Sequence, residues 1–166
     1  MFHLKPLSPE AIPAALEKAH RYRLLNEPLE AESICRDILE VDPGNHEATV
    51  TLLLALTDQF DERPNPCLEQ ARQILSRIED DYSRTYHAGI ICERRAKVQL
   101  KRGGARAGHI AHDWFREAME HYEEAARLRP PGNDDAILRW NTCARILMAH
   151  PELVPEPEET FRTWLE

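Results

Sequence analysis

Apolar residues recur every three or four positions through most of the chain, and proline or glycine clusters interrupt that period. A 3.6-residue period reads as amphipathic helix, and the interruptions read as turns. Ser8 and Pro9 suit a helix start, although Pro13 delays the regular helix until its missing N–H no longer matters. Leu16, Ala19 and Tyr22 then form a stripe that runs to about residue 25, where Asn26-Glu27-Pro28 turns the chain. A second helix is expected over about 29–41, with Ile34, Cys35, Ile38 and Leu39 inward, before Pro43-Gly44-Asn45 breaks it. The third, over about 46–60, is apolar nearly all round and reads as a central helix.

After it comes a proline-rich loop at 61–66, and Ala71, Leu75 and Ile78 carry the next stripe. A long helix is expected from residue 83 or 84 to 102, ended by Gly103-Gly104. Another runs over about 109–128 with Trp114, Phe115, Ala118, Met119, Tyr122 and Ala125 at core spacing. Pro131-Gly132-Asn133 echoes the earlier Pro43-Gly44-Asn45, and a last helix follows over 134–148. Pro151, Pro155 and Pro157 mark a linker into a short tail that carries Phe161, Trp164 and Leu165. The expected division is therefore a helical repeat region, 1–150, and a proline-rich linker with a helical tail, 151–166.

The unit at 15–45 has a specific spacing. Ala19 is followed by Tyr22 three positions on and by Ala31 twelve positions on, and Pro43 lies twelve beyond Ala31. Near the other end, Ala118, Tyr122, Ala125 and Pro130 keep the same register. This pattern resembles the tetratricopeptide repeat, a helix-turn-helix unit with a small residue, an aromatic, an alanine and a closing proline in that order. Three irregular repeats are discernible, with insertions in the second and third. The resemblance implies an all-α fold: antiparallel helix-turn-helix repeats stacked as a short right-handed solenoid, with a C-terminal capping helix. It also implies a concave groove, lined by the first helix of each repeat, that binds an extended or helical segment of another protein.

Carried over residue by residue, the family's groove positions include Leu16, His20 and Arg23 in the first repeat, and Val50 and Leu54 in the second. In the third they include Glu93, Lys97 and Lys101. Arg94 joins them from the set that one subclass of the family uses to clamp a chaperone's terminal carboxylate. The other positions of that set fall on Leu16, His20, Thr51 and Ile90, which lack its chemistry. A carboxylate clamp is therefore not expected.

Composition narrows the function. The net charge of −8 at pH 7 disfavours nucleic acid and anionic membrane surfaces as general partners. No apolar run is long enough to span a bilayer, and the N-terminus lacks a signal peptide's pattern, so a cytoplasmic location is expected. Cys35, Cys67, Cys92 and Cys143 are widely spaced within apolar patterns and read as buried, reduced thiols. Positive charge concentrates at 94–106, where Arg94, Arg95, Lys97, Lys101, Arg102 and Arg106 face only the one acid just before them, Glu93. That stretch reads either as a solvated helix end or as a face that grips carboxylates.

No phosphate loop, nucleophile elbow or zincin motif is present, so no catalytic residue, no metal site and no cofactor is expected. Glu17 and His20 form half a di-iron motif that has no second half. His109, His112, Asp113, Glu117, Glu120 and His121 are the densest set of ligand types, on what reads as a solvated helix face. The expectation is thus a non-catalytic interaction module for a partner peptide or amphipathic helix with acidic character. The alternatives are metal or small-ligand binding on the 109–121 helix, and self-association through the C-terminal tail.

Overall fold

In a computed structural model that describes residues 1–157, the chain is all-helical, with seven α-helices and no strand among the described residues. They are α1 (Ile12–Leu24), α2 (Pro28–Val41), α3 (His46–Thr57), α4 (Pro64–Leu75), α5 (Asp81–Arg102), α6 (Ala107–Leu128) and α7 (Asp135–Ala149). Each packs against the next in sequence, α1 also reaches α3, and the pair α5–α6 is the most extensive. The expected tail helix with Phe161, Trp164 and Leu165 lies outside the described residues.

Local chemistry explains the boundaries. Pro9–Ala11 forms a single 3₁₀ turn, and the Ser8 side chain makes no capping bond. α1 begins at Ile12, so Pro13 falls in its first turn, where no backbone donor is needed. Asn26 adopts a positive φ of 59°, which lets the chain reverse between α1 and α2. Asn45 caps α3 by accepting the Ala48 N–H at 2.9 Å, and Asp80 caps α5 by accepting the Ser83 N–H at 2.7 Å. Two sequence expectations change. α3 ends at Thr57, because Asp58 and the turn after it are used for side-chain contacts and to bury Phe60. Pro64 opens α4 and Pro66 sits in the same first turn, so the expected proline-rich loop is half helix.

Two apolar clusters hold most of the molecule. The first gathers Ala19, Ala31, Cys35, Leu52, Leu53, Leu56, Phe60, Ala71 and Ile78, with Ile91 from α5. The second gathers Ile90, Cys92 and Ala96 of α5 with Ala111, Phe115, Ala118, Tyr122, Ala136 and Cys143. Because α5 gives Ile91 to the first and Ile90, Cys92 and Ala96 to the second, it is the wall the two share, and half-buried Leu54 of α3 packs against both. Small residues set the helix spacing. A Cβ on Gly89 would lie 2.5 Å from the Tyr122 ring, so only glycine lets that ring lie against α5. A smaller group, Leu16, Ile38 and Ala48, is covered by Leu7 and Ile12.

The segment after α7 is not free of the helices. Leu153 is buried in the second cluster, and the Glu152 carbonyl lies over Gly108. Among the described residues, no helix is long and apolar enough to cross a membrane.

Candidate functional site

The centre of the charged chemistry is Glu93, which is 0% exposed. Its carboxylate accepts the Tyr122 hydroxyl at 2.6 Å and the Arg139 guanidinium at 3.2 and 3.3 Å, and it pairs with Lys97. One side chain of α5 thereby joins α6 and α7. Burial works against the ionised form, but the hydrogen bonds from Lys97 and Tyr122 and the charges of Lys97 and Arg139 outweigh it, and the carboxyl is held below its ordinary range. Tyr122 moves the other way: burial and the adjacent Glu93 charge raise its pKa, which keeps it a hydroxyl donor.

Above Glu93 lies a cleft of about 240 Å³ between α5 and α7, walled by Tyr86, Lys97, Asp135, Leu138, Arg139 and Thr142. Tyr82 stacks on Tyr86 at 5.8 Å, and Tyr86 in turn tilts against Tyr122 at 5.9 Å. Leu138 stands 62% exposed at the edge. A larger hollow of about 860 Å³ lies between residues 4–7, α2 and α4. One wall of it is the exposed N-terminal arm, and it holds none of this charge network, so the smaller cleft is the better-built site.

Further ion pairs extend from this centre across the odd-numbered helices. Asp58, just after α3, takes Arg23 of α1 at 2.7 Å and also pairs with Arg94 of α5. His20 of α1 meets Glu47 of α3 at 2.8 Å. Lys101 reaches Asp61 at 2.8 Å, and Arg102 donates to the Asp61 carbonyl at 2.8 Å. Arg106 pairs with Glu156, and the Arg95 guanidinium lies about equally far from the Phe60 and Trp114 rings, at 6.0 and 5.8 Å. The basic stretch at 94–106 is thus already occupied by acids and rings of the same chain.

The nine residues expected in a groove divide accordingly. Asp58 brings Arg23 and Arg94 together, whereas His20, Lys97 and Lys101 each pair with a different acid, Glu47, Glu93 and Asp61. Leu16 is buried beneath Leu7 and Ile12, Val50 packs half-buried in the first cluster, and Leu54 lies between the clusters. Glu93 is enclosed and reaches solvent only through its partners. The residues missed are Tyr86, on α5 but upstream of the expected groove positions, and Leu138 and Arg139 on α7, which the repeat register did not reach. The exposed leucine of α7, flanked by Arg139, was the available signal.

Of the metal-type residues, Glu17 pairs with Arg21 while His20 turns to Glu47, so the half di-iron motif is divided. His109 meets the Val154 carbonyl at 2.8 Å and His112 meets Asp113 at 3.1 Å. Glu117 and His121 do converge, and Cys92 of α5 joins them: their ligand atoms lie within 4.8 Å of one another.

Compared with protein families, curated proteins and solved structures, the chain has no significant match to any of them.

Proposed function

We propose that the chain is a non-catalytic interaction module, a short α-solenoid of the tetratricopeptide kind, that binds a segment of another protein along α1, α3, α5 and α7. The observation that carries this reading is the cleft between α5 and α7, where exposed Leu138 and the Tyr82–Tyr86 stack stand beside Lys97 and Arg139. Aromatic and arginine side chains at a preformed hollow are the residue types that dominate protein-binding hot spots.

The packing order supports the solenoid. Sequential helices pair, α1 also packs on α3, and polar bridges join odd helices to odd ones (His20–Glu47, Glu93–Arg139) and even to even (Arg36–Gln70, 2.7 Å). Helices sorted into two layers in this way are what stacked helical hairpins produce.

The partner suited to the cleft is an amphipathic segment. An apolar side chain would pack on Leu138 and Tyr86, and a carboxylate would approach Lys97, whose side chain remains 46% exposed although it pairs with Glu93. Because Lys97 is already paired, acidic residues would add orientation more than affinity.

A random peptide display library selected on the purified protein tests this reading. Enriched peptides should combine acidic and apolar positions, and titration calorimetry should show their binding lost on Leu138→Asp and weakened on Lys97→Glu. Arg77→Glu, in the larger hollow, should leave it unchanged. No enrichment, or equal binding by all three variants, would overturn the reading.

A further inference from the structure

We propose that Cys92, Glu117 and His121 form a binding site for a thiophilic divalent cation of the zinc class, at the edge of the α5–α6 interface. The site goes beyond the interaction reading and lies on the α6 side of α5.

Three different ligand types from two helices meet there, with all ligand atoms within 4.8 Å of one another. Glu117 and His121 are four apart on α6 and share one face. Their Oε1 and Nε2 lie 3.9 Å apart. Bonds of about 2.1 Å at a tetrahedral ion place such atoms about 3.4 Å from each other, a difference that side-chain rotation covers without backbone movement.

Cys92 approaches from α5, nine-tenths or more enclosed, whereas Glu117 and His121 are partly open to solvent. The ion would therefore have a buried sulfur beneath it and water within reach as a fourth ligand. This is the open three-ligand arrangement of zinc sites that keep one exchangeable position.

Charge and chemistry choose the cation. A thiolate and a carboxylate neutralise a divalent ion, and the imidazole adds none. Sulfur with imidazole selects zinc, cobalt or copper over magnesium and calcium, which prefer oxygen throughout. Burial pushes the metal-free Cys92 thiol up to about 12, so without an ion the sulfur stays protonated at neutral pH. On binding, the S–H bond breaks, its proton leaves to solvent, and the sulfur lone pair goes to the metal.

The test uses the full chain, stripped with a chelator and titrated with Co²⁺, then with Zn²⁺ in competition with a chromophoric chelator. One ion per chain should bind, and the cobalt complex should show the intense near-ultraviolet band of thiolate-to-cobalt charge transfer. Cys92→Ser should abolish that band. Glu117→Gln and His121→Ala, at surface positions that leave the fold intact by circular dichroism, should each weaken zinc by at least about tenfold. Cys143→Ser and His112→Ala should change neither. A cobalt spectrum without the thiolate band, or unchanged zinc affinity in Glu117→Gln and His121→Ala, would overturn the proposal.

Discussion

The Tyr122 hydroxyl donates a 2.6 Å hydrogen bond to the Glu93 carboxylate, and neither side chain has any exposed surface. A phenol and a carboxylate this deep cannot exchange their bond for water, so the pair is held by its geometry and by the cations beside it. Removing Glu93 strands Arg139 and the phenol, whereas removing the phenol alone leaves the ion pairs.

Glu93→Ala should therefore destabilise the protein by about 3–5 kcal/mol, as does removal of one partner from a buried ion pair. Tyr122→Phe should cost about 1.5–3 kcal/mol, the range for a hydrogen bond to a charged group. Lys97→Ala removes one of three partners of a fully buried carboxylate and should cost about 1.5–3 kcal/mol, still less than loss of Glu93 itself. Urea unfolding read by circular dichroism ranks the three, and an order in which Lys97 leads would contradict the hub role of Glu93.

Gly89→Ala tests the packing beneath the same ring. The added methyl would fall 2.5 Å from Tyr122 Cε1, well inside contact distance, and the ring is pinned by its bond to Glu93. A loss of about 1–3 kcal/mol is expected, typical of overpacking, despite alanine's better helix propensity. In the Tyr122→Leu background the penalty should shrink, which a double-mutant cycle measures directly.

Stability should fall in two stages on acidification. Burial holds the His87 pKa below the ordinary value of about 6.5, although a 2.6 Å contact with the Ser83 carbonyl opposes the shift. Below 6.5 the unfolded chain therefore takes up a proton that the native chain refuses, and stability begins to drop. The Glu93 carboxyl lies below its ordinary value of about 4.5, because the donors around it outweigh burial. Below that pH the unfolded chain again binds the extra proton, and stability drops further until Glu93 is protonated in the native state too. Urea midpoints measured from pH 7 to pH 3 should show both stages. His87→Gln should flatten the upper stage and Glu93→Gln the lower.

The helices were legible in the sequence because burial here follows the 3.6 period. Ala31, Cys35 and Ile38 in α2, and Ala118, Tyr122 and Ala125 in α6, are spaced as they pack. The charged site was much less legible. A glutamate is presumed solvated unless its partners are known, and those of Glu93 sit four, 29 and 46 positions away on three helices. The pairing of the basic stretch was hidden for the same reason, since Asp58, Asp61 and Glu156 neutralise it from elsewhere in the chain. Cys92 and His121 are 29 residues apart, and only the close pairing of α5 with α6 brings them together.

The shared wall of α5 has a kinetic consequence. Ile91 belongs to the core on one side, Ile90 and Cys92 to the core on the other, and Leu54 touches both. Two cores that meet along one helix are expected to open separately, so native-state hydrogen exchange should give the amides of α2–α4 and of α6–α7 different opening free energies. The Asp58 carboxylate, held by Arg23 from one unit and Arg94 from the shared helix, is the latch across that seam. Asp58→Ala should therefore lower the free energy of sub-global opening, read by native-state hydrogen exchange, more than that of complete unfolding, read by urea.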